Sequence, residues 1–276
     1  MSNSRSNRRV IAQKTVEICE SGYYLMDGEP VSIAESLAAA KSGTKLYRPE
    51  DFNNLADTPM GGEFPKIEVV NQTTFTGARQ LLDEGADRVC SLNFASAKNP
   101  GGGFLNGSQA QEESLARASG LYPCLEEALE YYEKNRISGT CLYTHHIIYS
   151  PQVPVFRDDE DELLEEPWLS SIITAPAPNA GAIRKNEPKR KSEILPVLAE
   201  RTARVLEIAR LNGERNLLLG AWGCGVFRND PAQVADTFYE LLQAKHLANA
   251  FDRIRFAVLD RRDVGTYNAF RSVFAH

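Results

Sequence analysis

Along the chain, the rhythm of apolar and polar positions changes twice. From Arg8 to Glu20 the apolar residues recur at helical spacing and Gly22 stops the run, which predicts an amphipathic helix. Between Tyr23 and about Pro65, glycines and prolines interrupt every pattern, and one short helical stretch is expected around Ile33 to Ala40. From Lys66 onward the rhythm is regular. Ile67 to Asn71 reads as a strand, Thr76 to Glu84 as a helix ended by Gly85, and Arg88 to Phe94 as a strand running into a glycine loop. A helix from Gln109 follows, then strands at Tyr143 to Tyr149 and Leu169 to Thr174, and a long helix from about Lys189 to Leu211. The last elements are a strand at Asn216 to Leu219, a helix after Pro231, a strand at Ile254 to Leu259 and a C-terminal helix.

Strands alternating with helices imply an α/β fold whose sheet is covered on both faces. Residues 1–65 are expected to form an N-terminal extension packed on a main domain of residues 66–276. In such sheets ligands sit beyond the strand ends, in the loops that lead into helices. The loops after Phe94, Thr174, Leu219 and Leu259 are therefore the places to look. The acidic segment Phe156 to Glu166 reads as a solvated surface loop.

Composition narrows the function classes. With 276 residues and 42% hydrophobic content the chain can bury a core without staples. No apolar run approaches the roughly 18 residues needed to span a bilayer, so no membrane helix is expected. The opening MSNSRSNRRV is basic but lacks an apolar stretch, which is not the pattern of a secretory signal. Five scattered cysteines (Cys19, Cys90, Cys124, Cys141, Cys224) form no C-x-x-C pair, and reduced thiols in a cytoplasmic setting are the simpler expectation. The net charge of -6 makes capture of a polyanion by a broad basic face an unsuitable model. A phosphorylated ligand would instead be held by local backbone amides and helix N-termini.

Two loops carry candidate chemistry. After Phe94 comes Asn99-Pro100-Gly101-Gly102-Gly103, where three glycines let the backbone approach a ligand and leave N–H groups free for phosphate or ribose oxygens. Ser108 and Gln111 have capping-box spacing, which places the helix start at Gln109 and puts Glu112 and Glu113 in its first turn. Adjacent residues lie about 100° apart around a helix, so the two acids cannot do the same job. Acids at a helix start also serve as plain dipole partners, and Glu113 is spaced to pair with Arg117. The second loop, Gly220-Ala221-Trp222-Gly223-Cys224-Gly225-Val226-Phe227, leaves a buried strand and leads to Asn229, Asp230 and Pro231, which suit a helix cap and first position. It has the makings of a diphosphate cradle without a lysine, and the P-loop pattern is absent. Cys224 invites a nucleophile hypothesis with His145 or His146 as base, but nothing in the sequence orients them, and a cysteine between glycines is more often a space-filler. His145 and His146, adjacent in the expected strand, should point to opposite faces and are poor candidates for a metal.

The stretch NPGGGFLNGSQAQEE resembles the signature of poly(ADP-ribose) glycohydrolases, a GGG followed six to eight residues later by QEE; seven residues separate Gly103 from Gln111 here. LNFASAKNPGGGF resembles the bacterial, short form of that family. The resemblance implies a macrodomain-like three-layer α/β/α fold with a mixed central sheet and an N-terminal helical extension. It also implies hydrolysis of the ribose–ribose O-glycosidic bonds of poly(ADP-ribose), from chain ends, with no metal or other cofactor and a link to the DNA damage response. By that likeness Glu113 is the general acid and base and Glu112 fixes the bound sugar by accepting hydroxyl hydrogen bonds. Gln111 completes the motif, and Asn99 with the Gly101, Gly102 and Gly103 amides orients the distal ribose. Gly220 and the run Gly223, Cys224, Gly225, Val226 and Phe227 resemble the phosphate-binding loop, with Val226 and Phe227 against the distal ribose. Thr174 and Ala175 resemble a segment near the adenosine end, and Thr266 and Tyr267 would cap the adenosine and its ribose. The implied partners are ADP-ribose polymer on modified proteins or nucleic acid and ADP-ribose as product, with no membrane and no obligate protein partner.

Other classes remain open at this point. A hydrolase of single ADP-ribose units on protein or nucleic acid would use a similar pocket. A non-catalytic ADP-ribose reader would need no acid pair beside the ribose. An unrelated nucleotide-binding fold would not bind ADP-ribose.

Overall fold

The structure, a computed structural model, describes residues 4–52, 64–243, 247 and 249–274. The first helix, α1 (Arg5–Ser21), is capped by the Ser4 hydroxyl, which accepts from Asn7 N–H at 3.2 Å, and Gly22 closes it with a 2.8 Å bond to Ile18 O. A hairpin of β1 (Tyr23–Met26) and β2 (Glu29–Ser32) follows. It had gone unnoticed in the sequence, although its turn is Asp27-Gly28, a pair that favours the left-handed backbone such turns require. Then come α2 (Ala34–Gly43) and β3 (Lys45–Tyr47). The remaining elements are β4 (Lys66–Val70), α3 (Thr74–Asp83), β5 (Cys90–Phe94), α4 (Gln111–Ala118), α5 (Leu121–Glu126), α6 (Leu129–Ile137), β6 (Ile147–Arg157), β7 (Leu163–Ala175), α7 (Ala180–Asn186), α8 (Ile194–Leu211), β8 (Asn216–Gly220), α9 (Pro231–Leu242), β9 (Arg253–Ala257) and α10 (Thr266–Phe274). The helices α5 and α6 lie in a stretch to which no element had been assigned.

Seven strands make one mixed sheet in the order β3-β6-β7-β5-β8-β9-β4. The pairs β3–β6 and β6–β7 are antiparallel; β7–β5, β5–β8, β8–β9 and β9–β4 are parallel. Residues 45–47, within the stretch expected to be an extension, thus form an edge strand of the main sheet.

Alternation along the strands builds a core on each face. In β8, Leu217 and Leu219 join one cluster with Leu206 and Phe238, while Leu218 joins the other with Phe75, Leu81 and Leu115. Burying each such side chain contributes about 1.5–3 kcal/mol of transfer free energy. This is the three-layer arrangement expected. Because β7, β5, β8 and β9 run parallel, their C-terminal ends open on one edge, and the four loops singled out in the sequence meet there. Among the described residues no helix is long and apolar enough to cross a membrane.

Two local expectations fail for clear reasons. His145 and His146 precede the strand, which starts at Ile147. His146 Nδ1 meets Thr144 Oγ1 at 3.0 Å, and His145 faces Glu200 at 3.4 Å. Burial, followed by the nearby Arg201 guanidinium, pushes His145 down to about 4. The acidic segment is no free loop either: Phe156 and Arg157 end β6, and Leu163 to Glu166 begin β7. Its turn is docked, with Asp159 accepting from the Thr73 and Thr76 hydroxyls at the start of α3 and Asp161 paired with Arg117.

Candidate active site

The helix carrying the acid pair begins at Gln111, not Gln109, and Ser108 does not cap it. The Gln111 amide is engaged elsewhere. Its Oε1 accepts from Phe94 N–H at 2.8 Å, and its Nε2 donates to Leu92 O at 2.8 Å and to Thr74 Oγ1 at 3.1 Å. Gln111 therefore stitches the start of α4 to the end of β5 and α3, which outweighs a local capping bond.

Glu112, only 3% exposed, turns inward. Its Oε2 accepts from Ser96 N–H at 2.6 Å and its Oε1 from Asn93 Nδ2 at 3.3 Å; the same Nδ2 donates to Thr174 Oγ1 at 3.2 Å. Burial pushes this carboxyl up to about 8, against the pull of those two donors, so it is largely neutral at pH 7. Each of its oxygens accepts one protein donor, which fixes the carboxyl in place. Glu113 sits differently: its Oε1 accepts from Gly103 N–H at 3.0 Å. Arg117, spaced to pair with it, reaches Asp161 instead at 3.1 Å.

Gly102 explains why the loop is made of glycine. Its backbone is left-handed at φ 61°, and a Cβ there would stand 2.5 Å from Glu113 Oε1 and 3.0 Å from Glu112 Oε2. Only a residue without a side chain lets both carboxyls close on the loop. Asn99 is exposed and shapes the turn through its carbonyl, which accepts from Gly102 N–H at 3.0 Å.

A cavity of about 600 Å³ opens beside this helix. Gln111 and Ser114 line one part of it, the loop Ala221 to Phe227 another, Leu259, Asp260 and Thr266 a third, and Gln72 to Phe75 a fourth. The second glycine loop thus faces the start of the glutamate helix across the cavity, whereas residues 99–103, Glu112 and Glu113 are not among the residues that line it. Gly225 has no atom within 4 Å of a built Cβ, and Val226 is 80% exposed, so this loop presents bare backbone and one apolar side chain to the cavity. Phe227 leans on Tyr143 with ring centroids 5.9 Å apart, and its carbonyl accepts from Gly181 N–H at 2.9 Å. Asn229 Nδ2 fastens the loop to Pro178 O at 2.9 Å, and Asp230 caps α9 with Pro231 in its first turn.

Some expected ligand contacts have structural placements. Thr174 and Ala175 are fully buried; Ala175 O accepts from Trp222 Nε1 at 3.1 Å, and Ala177 reaches the cavity in their place. Gly220 ends β8 where a Cβ would stand 2.4 Å from Ala257 O. Tyr267 N–H donates to Asp260 Oδ2 at 3.2 Å, which anchors the start of α10. Cys224 is a poor nucleophile, since burial pushes its thiol up to about 12. Sequence reasoning missed Asn93, Ser96, Arg117, Asp260 and the Gln72 to Phe75 wall. A polar residue inside an apolar strand, Asn93 in CSLNF, was the one available signal.

A mixed sheet with a cavity at its strand ends, a glycine loop on its wall and a helix bearing two carboxyls beside it is the layout of an α/β enzyme. The microbial-type PARG catalytic domain model matches residues 12–158. A crystal structure of poly(ADP-ribose) glycohydrolase from Thermomonospora curvata is 47% identical, covers 98% of this chain and 100% of that one, and superposes with a TM-score of 0.91. The same enzyme bound to the inhibitor ADP-HPD gives 0.90 at the same identity and coverage. The Deinococcus radiodurans enzyme in complex with ADP-ribose is 52% identical over 86% of this chain and 96% of that one, with a TM-score of 0.81. None of the curated proteins compared matches the chain. The chain belongs to the microbial-type poly(ADP-ribose) glycohydrolase family, and its fold is the macrodomain-like fold of those structures.

Proposed function

We propose that this chain hydrolyses the ribose–ribose O-glycosidic bond of poly(ADP-ribose) and releases ADP-ribose from chain ends, with Glu113 as general acid and base. The observation that carries this is the unequal pair: each Glu112 oxygen accepts a protein donor in the interior, while among the described residues Glu113 accepts from the Gly103 amide at 3.0 Å, against the glycine loop. Oε2 of Glu113 can give its proton to the leaving ribose oxygen as the C1″–O bond breaks and the electron pair stays on that oxygen. Water then adds to the oxocarbenium-like C1″ and returns a proton to the same carboxylate. The amides of Gly223 to Phe227 hold the diphosphate, Val226 and Phe227 the distal ribose, and Thr266 with Tyr267 the adenosine side. The substrate is polymer on modified proteins or nucleic acid, met in the cytoplasm, and the chemistry needs no cofactor.

Labelled polymer incubated with the protein should yield free ADP-ribose. Glu113→Ala should slow that release by about 10²-fold or more, with ADP-ribose binding by calorimetry retained. Undiminished release by this variant would remove Glu113 from the mechanism.

A further inference from the structure

One wall of the cavity is gathered by a single buried side chain. Arg117, on the helix of the two glutamates, is 2% exposed. Its Nε meets Asp161 Oδ1 at 3.1 Å, its Nη1 donates to Ser108 O at 3.1 Å, and its Nη2 donates to Gln109 Oε1 at 2.5 Å and Ser114 Oγ at 3.5 Å. The connection closes on itself. Thr15 Oγ1, from α1, donates to Arg117 O at 2.7 Å; Arg157 Nε donates to Thr15 Oγ1 at 3.3 Å; and Arg157 Nη1 donates to Asp161 O at 3.0 Å. N-terminal helix, glutamate helix and the β6–β7 turn are thereby locked together.

This wall carries charge. Asp158, Asp159 and Asp161 line the cavity on the same side as Arg117, Gln109 and Ser114. Asp158 is held by Glu160 and Glu162 N–H groups and Asp159 by threonine hydroxyls, all neutral donors, whereas Asp161 faces a guanidinium. A diphosphate-bearing ligand entering here meets carboxylates; Arg117 pairs with Asp161 directly, Arg157 also reaches the Asp161 turn, and Arg261 lines another part of the cavity.

We propose that Arg117 is a positioning residue for ligand binding: it fixes Ser108, Gln109 and the acidic turn as one wall and offsets the charge of Asp161 facing an anionic ligand. This rests on the proposed function. Removing the closer cation from one side of a buried pair leaves the other charge less well compensated, whereas removing both charges is better tolerated. Arg117→Gln should therefore raise the ADP-ribose Kd and the polymer KM together by about tenfold or more, with kcat nearly kept, since the lost interaction acts on ground and transition state alike. The double variant Arg117→Gln with Asp161→Asn should recover most of that loss, and Asp161→Asn alone should bind ADP-ribose at least as well as the unmodified protein. Melting curves show which variants are folded, and the double variant keeps the test decisive if Arg117→Gln does not fold. Unchanged Kd and KM in folded Arg117→Gln, with only a lower melting temperature, would reduce the residue to a structural tie and overturn the proposal. So would a double variant that binds no better than Arg117→Gln. If the unmodified protein releases ADP-ribose from polymer and the Arg117 variant matches it, this inference alone fails; if the unmodified protein neither binds nor cleaves, the proposed function falls as well.

Discussion

The two glycine loops at the sheet edge look alike in sequence and serve opposite ends. Around Gly102 the missing side chain is filled by the protein itself, with carboxyl oxygens of Glu113 and Glu112 2.5 Å and 3.0 Å from where a Cβ would be. Around Gly225 the same space is left open, with no atom within 4 Å, on the wall of a 600 Å³ cavity. The first loop uses glycine to let two carboxyls close on the backbone. The second uses it to leave open space on the cavity wall.

That contrast can be broken at several points. The largest effect is expected from Glu113→Ala, which takes the unshared acid from the first loop while leaving the second intact: turnover should drop by about 10²-fold or more and binding should persist. Next is Gly102→Ala. A non-glycine residue in the left-handed region costs about 1–2 kcal/mol, and the new methyl must also displace Glu113, so kcat should fall at least about tenfold with a nearly unchanged ADP-ribose Kd. A variant as active as the unmodified protein would show that the carboxyls do not need this approach. Gly225→Ala should do the reverse. Stability should stay within about 0.5 kcal/mol, while ADP-ribose affinity weakens by up to about tenfold; tight binding by this variant would mean that no ligand atom comes near the loop.

The smallest effect concerns pH. Glu112 has its folded pKa raised to about 8 from an ordinary 4.5, so between those values the folded protein holds a proton that the unfolded chain has lost. Its contribution is complete below about pH 4.5 and is lost as pH rises through about 8. An amide cannot lose that proton, so the melting temperature of Glu112→Gln should gain on the unmodified protein by a few degrees between pH 5 and 9. Parallel curves would mean that Glu112 is charged in the folded state.

Much of this was legible in residue order. The strand at Asn216, the glycine run, and Asp230 and Pro231 at a helix start all follow from local chemistry. Arg117 shows where that stops: its spacing invited an i,i+4 pair with Glu113, yet it pairs with Asp161, 44 positions away. Gln111 shows it again. Its capping-box spacing was real, but the Phe94 N–H and the Leu92 carbonyl of the neighbouring strand offered better partners than Ser108.

The sequence by itself determined the alternation of strands and helices, the place of the ligand loops and the presence of an acid pair, because these depend on periodicity and on what glycine, proline and glutamate do wherever they stand. Only the tertiary structure decided which glutamate is sealed and neutral, which faces the glycine loop, and which charges share the cavity wall. Burial and partner distance control a carboxyl group's charge and reach, and both are set by residues that are neighbours in space and strangers along the chain.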